Sequence, residues 1–413
     1  MKVAYLSPLP PERSGIADYS ALLLPALLRK IDVAVVRRSS RRSPRGIDVW
    51  LYHVGNDADA HGWIVEALRR RPGIVVLHDF VLHHLVAGLT LGRHDGQAYL
   101  GAMEREGGIA GRLLAHGVIE NRIPPLWETR PQDFPLAREV LDHATGLIVH
   151  SRHVEERARG AGYAGPIRHI PHPAWPAPGV ESAPVPGGPV IGCFGNVNPS
   201  KRVPQLLEAF ARLRRRHPEA RLLLVGAAAP RFRLDDRLER LGLADGDAVH
   251  REDYVSEERL WSLMAACDVC VSLRWPTMGE TSGSALRALS LGRPLVVSDV
   301  GWFSELPDDV ALKVPVDAHE VELLTGALDL LASSEPMRAA MTRAARDYIA
   351  REHRLERVAD AYAETLELAA GGDRVRDAVL WEVARAAGET GIGPDDPEAL
   401  ALARALREVG VGA

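Results

Sequence analysis

At 413 residues the chain is longer than one ordinary hydrophobic core, so two domains with appendages are expected. Its 46% hydrophobic and 25% charged residues are ordinary for a soluble globular protein, and a formal net charge of −5 gives no support to nucleic-acid binding as its main task. Three cysteines, Cys193, Cys267 and Cys270, argue against a disulfide framework and for a reducing compartment.

Met1 leads directly into the strand-like KVAYLS with no signal peptide, and no apolar run is long enough for a bilayer. A cytoplasmic protein is therefore expected. Short apolar runs alternate with helical patterns, which implies parallel sheets covered by helices on both faces. In the first half, strands are predicted at 3–6, 33–36, 49–53, 74–77 and 147–150, with helices at 19–29, 62–71 and 135–143. Residues 80–130 suggest helices and loops inserted after a strand. The stretch PHPAWPAPGVESAPVPGGP has the proline and glycine density of a linker. Strands follow at 190–194, 221–225, 248–250, 269–273, 294–298 and 311–314, with helices at 203–217, 257–266 and 284–291. A long helical pattern over 335–370 precedes two short helices in 371–413. The expected division is a Rossmann-like domain over 1–175, a linker over 176–189, a second over 190–350, and C-terminal helices over 351–413 that pack back on the first. Two such doubly wound domains enclose a cleft between the carboxyl ends of their sheets.

The richest stretch is RWPTMGETSGSALRALSLGRPLVVSDVGWFSE, residues 274–305. Glu280 sits on a turn followed by Thr281, Ser282, Gly283 and Ser284, just ahead of a helix. Such a turn offers backbone N–H groups and a helix N-terminus to an anion. A carboxylate repels a phosphate, but it suits a sugar diphosphate whose anion lies on the amides and whose hydroxyls face Glu280. A capped helix with polar filler is the plainer reading. The second domain opens with VIGCFGNVNPSKRVPQLLEAF, where Gly195 ends a strand and Lys201 and Arg202 precede a helix. Two cations there suit a departing diphosphate, each charge-assisted bond contributing about 1.5–3 kcal/mol; solvated surface cations are the alternative. In the first domain Gly15 opens a helix after LSPLPPERSG, and G-x-G-x-x-G is absent, which disfavours a dinucleotide dehydrogenase.

Gly195 through Lys201, the GETSGSALRALSLGRPLVVSDVG stretch and Glu305 together resemble the donor-binding half of family 4 glycosyltransferases of the GT-B fold. PLPPERSGIADYS and HVGND…VVLHDF resemble bacterial members, many of which act in polysaccharide or glycolipid assembly. The resemblance implies transfer of a hexose from a nucleotide-diphosphate sugar, of GDP-mannose or UDP-glucose type, to an acceptor hydroxyl with retention of configuration. It implies no cofactor and no metal, with Lys201 on the diphosphate, Glu280 on the donor sugar, and His78 at the cleft near that sugar. Gly283 and its neighbours would approach the phosphates, Gly15 would lie beneath them, and the turn of Asp253, Tyr254 and Val255 would hold the base. Three departures bear on this: Asn196 stands where the family usually has arginine, Arg287 where it usually has a ribose-gripping glutamate, and the spacing from Glu280 to that position is one residue short of the usual pattern, which makes Gly279 an alternative formal match. Arg202 or Arg274 would then supply the missing charge. Another GT-B enzyme, such as an epimerase or phosphorylase, and a non-catalytic nucleotide-sugar binder are the rival readings.

Among the histidines His53, His78, His83, His84 and His172, one is expected to serve the sugar and the rest to pack. The D-x-D matches at Asp57–Asp59 and Asp245–Asp247 read as a cap and a polar turn. The basic VRRSSRRSPRG, residues 36–46, reads either as a contact with an anionic membrane or as a solvated loop.

Overall fold

The structure is a computed structural model of the whole chain, and it describes all residues except 13, 41–43, 230–231, 245, 394–395 and 409–413; the side chains of 372–378 and 407–408 are also outside it. Asp245 and part of the basic run thus lie outside the described residues.

The first sheet joins β1 (Lys2–Leu6), β2 (Asp32–Val36), β3 (Val49–Val54), β4 (Gly73–Leu77), β5 (Ala144–Val149) and β6 (Ile167–His169) in the order β2-β1-β3-β4-β5-β6. The second joins β7 (Val190–Phe194), β8 (Arg221–Val225), β9 (Val249–Glu252), β10 (Val269–Ser272), β11 (Leu295–Ser298) and β12 (Ala311–Val314) in the order β12-β11-β10-β7-β8-β9. Every pairing between these strands is parallel. Parallel sheets are covered on both faces, which is why the central strands β4 and β7 read GIVVL and VIGCF and are buried at every residue. In each sheet the strand order turns back beside the first strand, between β1 and β3 and between β7 and β10. These switch points open crevices at the carboxyl ends of the strands.

Helices leaving those ends begin at side-chain caps. Ser14 caps Gly15–Leu28, Asp57 caps Ala58–Arg70, Ser151 caps Arg152–Gly160, and Ser282 caps Gly283–Ser290. Each oxygen accepts a first-turn N–H that the helix itself leaves unpaired. The helix Leu355–Ala370 returns to the first sheet, where Val358, Tyr362 and Leu366 pack with Tyr19, Leu23 and Leu27. The hydroxyls of Tyr19 and Tyr362 meet at 2.7 Å.

Some local expectations give way. The pattern over 335–370 is two helices, Glu335–Glu352 and Leu355–Ala370, because His353 and Arg354 leave helical backbone between them. Only Arg138–Leu141 is helical in 135–143, after Leu136 takes a left-handed φ of 53°. Strand β6, short and polar at the sheet edge, carries no apolar run, and the helices Leu234–Arg240 and Glu320–Ser333 are also additional to those expected. The proline-rich segment is pinned rather than loose: Ala174 N–H donates to the carbonyl of His353 at 2.8 Å and Ala183 N–H to that of Ser262 at 3.0 Å.

Four histidines surround the Tyr19 ring at the carboxyl end of the first sheet. Ring centroids lie 5.7 Å (His53), 4.8 Å (His78), 5.2 Å (His150) and 4.7 Å (His172) away. Burial is the main reason all four titrate below the ordinary imidazole value, and His150 is pushed down to about 4. They are neutral in the fold at neutral pH, whereas an unfolded histidine titrates near 6.5. Between those values the unfolded chain binds more protons, so stability falls as pH drops from about 6.5 to about 4. Unfolding free energies from urea titration should therefore fall between pH 7 and pH 5, by about 1.4 kcal/mol per pH unit for each proton taken up. His150→Gln should lower that slope by about one proton, and an unfolding free energy indifferent to pH would contradict this account.

Candidate active site

The second sheet supplies the charges. After β7 the chain turns at Gly195, whose φ of +95° suits glycine. A Cβ there would sit 2.2 Å from the Lys201 ammonium. That ammonium donates to the carbonyl of Phe194 at 2.9 Å, so the turn and the lysine are one unit. Asn198 fixes it further by accepting the Lys201 N–H at 3.1 Å. Burial, and then the nearby Arg274, push Lys201 down to about 8. Asn196 is exposed on the same loop.

Arg202 departs from the expected role. It has a left-handed φ of 52° and forks onto both carboxylate oxygens of the buried Glu320. A guanidinium engaged in this way braces the helix Glu320–Ser333 instead of waiting for a diphosphate. The cation beside Lys201 is Arg274.

Arg274 is held by the turn that carries Glu280. Its Nε lies 2.7 Å from one Glu280 oxygen. The other oxygen accepts the Met278 N–H at 2.7 Å and the Thr277 hydroxyl at 3.1 Å. Gly279, at φ +94°, lets the turn approach the first domain, where a Cβ would meet Phe80 at 3.0 Å. Beyond it, the Thr281 hydroxyl is buried with no hydrogen-bond partner among the described residues. Ser282 caps the following helix and lies 3.1 Å from Ser284 Oγ. Helix geometry leaves the N–H groups of Gly283 and Ser284 without intrahelical partners. Gly283 fits against Trp175, where a Cβ would touch the ring at 3.4 Å.

Arg287 is one turn further along. Its guanidinium lies 3.6 Å over the Trp175 ring, with Asp18 of the first domain at 3.7 Å and Glu257 at 3.8 Å. The Asp253–Val255 turn lies between β9 and the helix Glu257–Ala265; Asp253 and Tyr254 are exposed, while Val255 packs against the core.

From the first sheet, Gly15 opens its helix in an exposed position with nothing near a notional Cβ. His78 is a floor residue: it retains 8% exposure and its Nε2 shares a hydrogen bond with His53 Nδ1 at 3.0 Å. As a neutral ring it can offer a hydrogen bond but no charge. The next residue, Asp79, is the one sequence reasoning missed, although it stands in the same VVLHDF. It accepts the Asn56 N–H at 2.8 Å, and burial followed by the charge of Glu280 pushes it up to about 7. Asp79 and Glu280 therefore sense each other across the cleft. The remaining histidines expected to pack do so in part: His83 is buried against Tyr99, whereas His84 faces Glu128 at 3.5 Å.

The two halves touch around this site. Phe80 and Val81 donate N–H groups to the Met278 carbonyl at 2.7 and 2.9 Å. Glu305 accepts the N–H groups of Arg152 and His153 at 3.0 and 2.7 Å, capping a first-domain helix from the second domain. Among the described residues no cluster of histidine, cysteine or acidic side chains has the makings of a metal site, and no helix is long and apolar enough to cross a membrane.

Residues 181–348 match the family model "Glycosyl transferases group 1". A D-inositol 3-phosphate glycosyltransferase from Stackebrandtia nassauensis is 31% identical over 192 residues, 43% of this chain and 42% of that protein, so the match spans under half of the relative's length. Sucrose-phosphate synthase from Thermosynechococcus elongatus superposes with a TM-score of 0.63 at 17% identity, over 89% of this chain and 98% of that one. HepE from Anabaena, solved with UDP-glucose, gives 0.59 at 16% identity over 89% and 99%. WaaG, a glycosyltransferase of lipopolysaccharide biosynthesis, gives 0.55 at 15% over 88% and 99%.

If Lys201 meets an anionic ligand, affinity must follow its protonation. Nucleoside diphosphate affinity should fall as pH rises from 7 to 9, because the ammonium loses its proton near 8. Lys201→Met should bind weakly at both values with no such slope. Calorimetric titration at the two pH values reads this directly, and identical slopes for the two proteins would refute it. These likenesses establish the fold as GT-B, with its second half similar to glycosyl transferases group 1.

Proposed function

We propose that the protein is a retaining, metal-independent glycosyltransferase of family 4 type, moving a hexose from a nucleotide-diphosphate sugar to an acceptor hydroxyl. The observation that carries this reading is the Gly195 turn with Lys201, joined through Arg274 to Glu280 opposite Asp79. Two cations neutralise a diphosphate more strongly as it leaves, which lowers the barrier rather than only tightening binding. Glu280, anchored on three sides, presents a fixed negative charge where the sugar becomes oxocarbenium-like. His78 contributes a neutral hydrogen bond, and the exposed Tyr254 ring offers a surface for the base.

The similar proteins, a sucrose-phosphate synthase, a UDP-glucose complex and a lipopolysaccharide glycosyltransferase, support a nucleotide sugar as donor. The reading gives the enzyme no cofactor and a cytoplasmic place in polysaccharide or glycolipid synthesis. The exposed Asn196 and the engaged Arg287, which stand where the family carries a cation and a carboxylate, favour one rival, a binder without turnover.

Two substitutions separate the roles. Lys201→Ala should weaken nucleoside diphosphate binding and lower kcat together. Glu280→Gln should leave that binding nearly intact and cut kcat by about 100-fold or more, the scale for loss of one preorganised group. If Glu280→Gln instead abolishes nucleotide binding and spares kcat, the carboxylate is a ribose or structural ligand.

Transfer should also survive EDTA, since protein cations take the place of a metal. Activity lost in chelator and restored by magnesium or manganese would overturn the mechanism.

A further inference from the structure

Two parts of the second domain grip the first beside the candidate site. One is the turn 277–280. The Met278 side chain packs against the first-domain core, its carbonyl accepts the Phe80 and Val81 N–H groups, and the Thr277 carbonyl accepts Gln132 Nε2 at 3.0 Å. The other is Glu305, the last residue of the short turn Gly301–Glu305 that follows β11. Each of its carboxylate oxygens takes one N–H from the start of the first-domain helix Arg152–Gly160. A helix leaves the N–H groups of its first turn unpaired. Ser151 Oγ accepts that of Val154 at 3.2 Å, so the Arg152 and His153 amides fall to a carboxylate from the other domain. The helix dipole favours a negative charge in that place.

The two grips form one clasp. Gly301, at a φ of +56°, brings the turn Gly301–Glu305 against Thr277, where a Cβ would lie 3.1 Å from the Thr277 hydroxyl. That hydroxyl donates to Glu280. Gly279 in the same turn lies against Phe80 and against Val154 of the capped helix, where a Cβ would meet them at 3.0 and 3.1 Å. Packed interiors pass small displacements on to their neighbours. Releasing Glu305 from the first-domain helix therefore shifts Val154, and with it the seat on which the turn 277–280 rests.

We propose that Glu305 is a positioning residue. By capping the first-domain helix from the second domain it keeps the turn of Glu280 seated on the first domain, and Glu280 holds its working orientation only while this clasp is closed. That Glu280 has a reaction to serve rests on the transferase reading; the clasp itself does not.

The test reads hydrogen exchange of the full chain by mass spectrometry, together with hydrolysis of UDP-glucose or GDP-mannose, in which water takes the place of the acceptor. Glu305→Ala should raise exchange at least about tenfold in peptides covering 80–81 as well as 152–153, the scale of a lost charge-assisted bond. Strands β4 and β7 should exchange as before, which excludes general unfolding. Glu305→Gln keeps one acceptor oxygen without the charge and should give a smaller rise in the same two places. Gly279→Ala presses on Phe80 from the other grip, and it should raise exchange at Arg152 and His153 in return. In Glu305→Ala the kcat for hydrolysis should fall about tenfold or more, the cost of a small misplacement, while nucleoside diphosphate affinity is kept because Lys201 and Arg274 are untouched. A rise confined to 152–153 would overturn the proposal, since Glu305 would then be a local cap. So would an unchanged kcat. Failure of the unaltered protein to bind UDP or GDP would instead sink the transferase reading, and the exchange pattern, which needs no substrate, would still decide the clasp.

Discussion

Glu280 is the joint on which the site turns. One of its oxygens holds Arg274 at 2.7 Å and the other holds the Met278 N–H at 2.7 Å. The carbonyl of Met278 in turn accepts two N–H groups from the first domain. A single short turn therefore sets the cation beside Lys201, the orientation of the carboxylate and the contact between domains. In a part-buried place the bond from the Met278 N–H to the charged oxygen is stronger than at the surface and costly to break, while the Arg274 contact is an ion pair without hydrogen-bond geometry. The close approach needs Gly279, because a side chain there would press on Phe80. Charge placement and domain placement are not independent here.

Opposite that turn the first domain presents a neutral floor. Tyr19 and its four histidines pack as rings, joined by the His53–His78 hydrogen bond. Burial keeps them uncharged, so the floor adds no cation beside Lys201 and Arg274. Desolvation disfavours a second negative charge there as well. Asp79, just above the floor, is raised to about 7 by burial and by Glu280, so near neutrality its carboxyl group is not firmly ionised. The four histidines bear on the pH dependence of folding through their burial.

The alternation of apolar runs and helical patterns is strong enough in β1, β4, β7 and β11 that the parallel sheets are legible from the chain alone. Strand β6 is not legible, because a three-residue polar edge strand has no apolar signature. The break at His353 is invisible for a similar reason: a long amphipathic pattern continues across it, and only packing against two different domains divides it. In the site, Gly195, Lys201 and Glu280 stand out because turn chemistry and charge are local. Arg202 misleads because its partner, Glu320, is far along the chain, and proximity to Lys201 says nothing of which way its side chain turns. Asp79 is overlooked beside His78 although its environment, not its type, makes it notable. Environment is the part of the site that one-dimensional reasoning supplies least.

Arg287 is held by an aromatic face more than by charge. A guanidinium can only donate hydrogen bonds. This guanidinium lies flat on Trp175 and reaches Asp18 from the first domain and Glu257 from the second. Burial on an aromatic face favours arginine over lysine, since the guanidinium is weakly hydrated and stacks. Ion pairs of 3.7 and 3.8 Å to mostly exposed carboxylates are weak on their own, so the stacking is the stronger tie. Trp175 belongs to the segment joining the domains and also contacts His172, next to the neutral floor. The Arg287 side chain thereby ties the helix that carries it to the segment joining the domains.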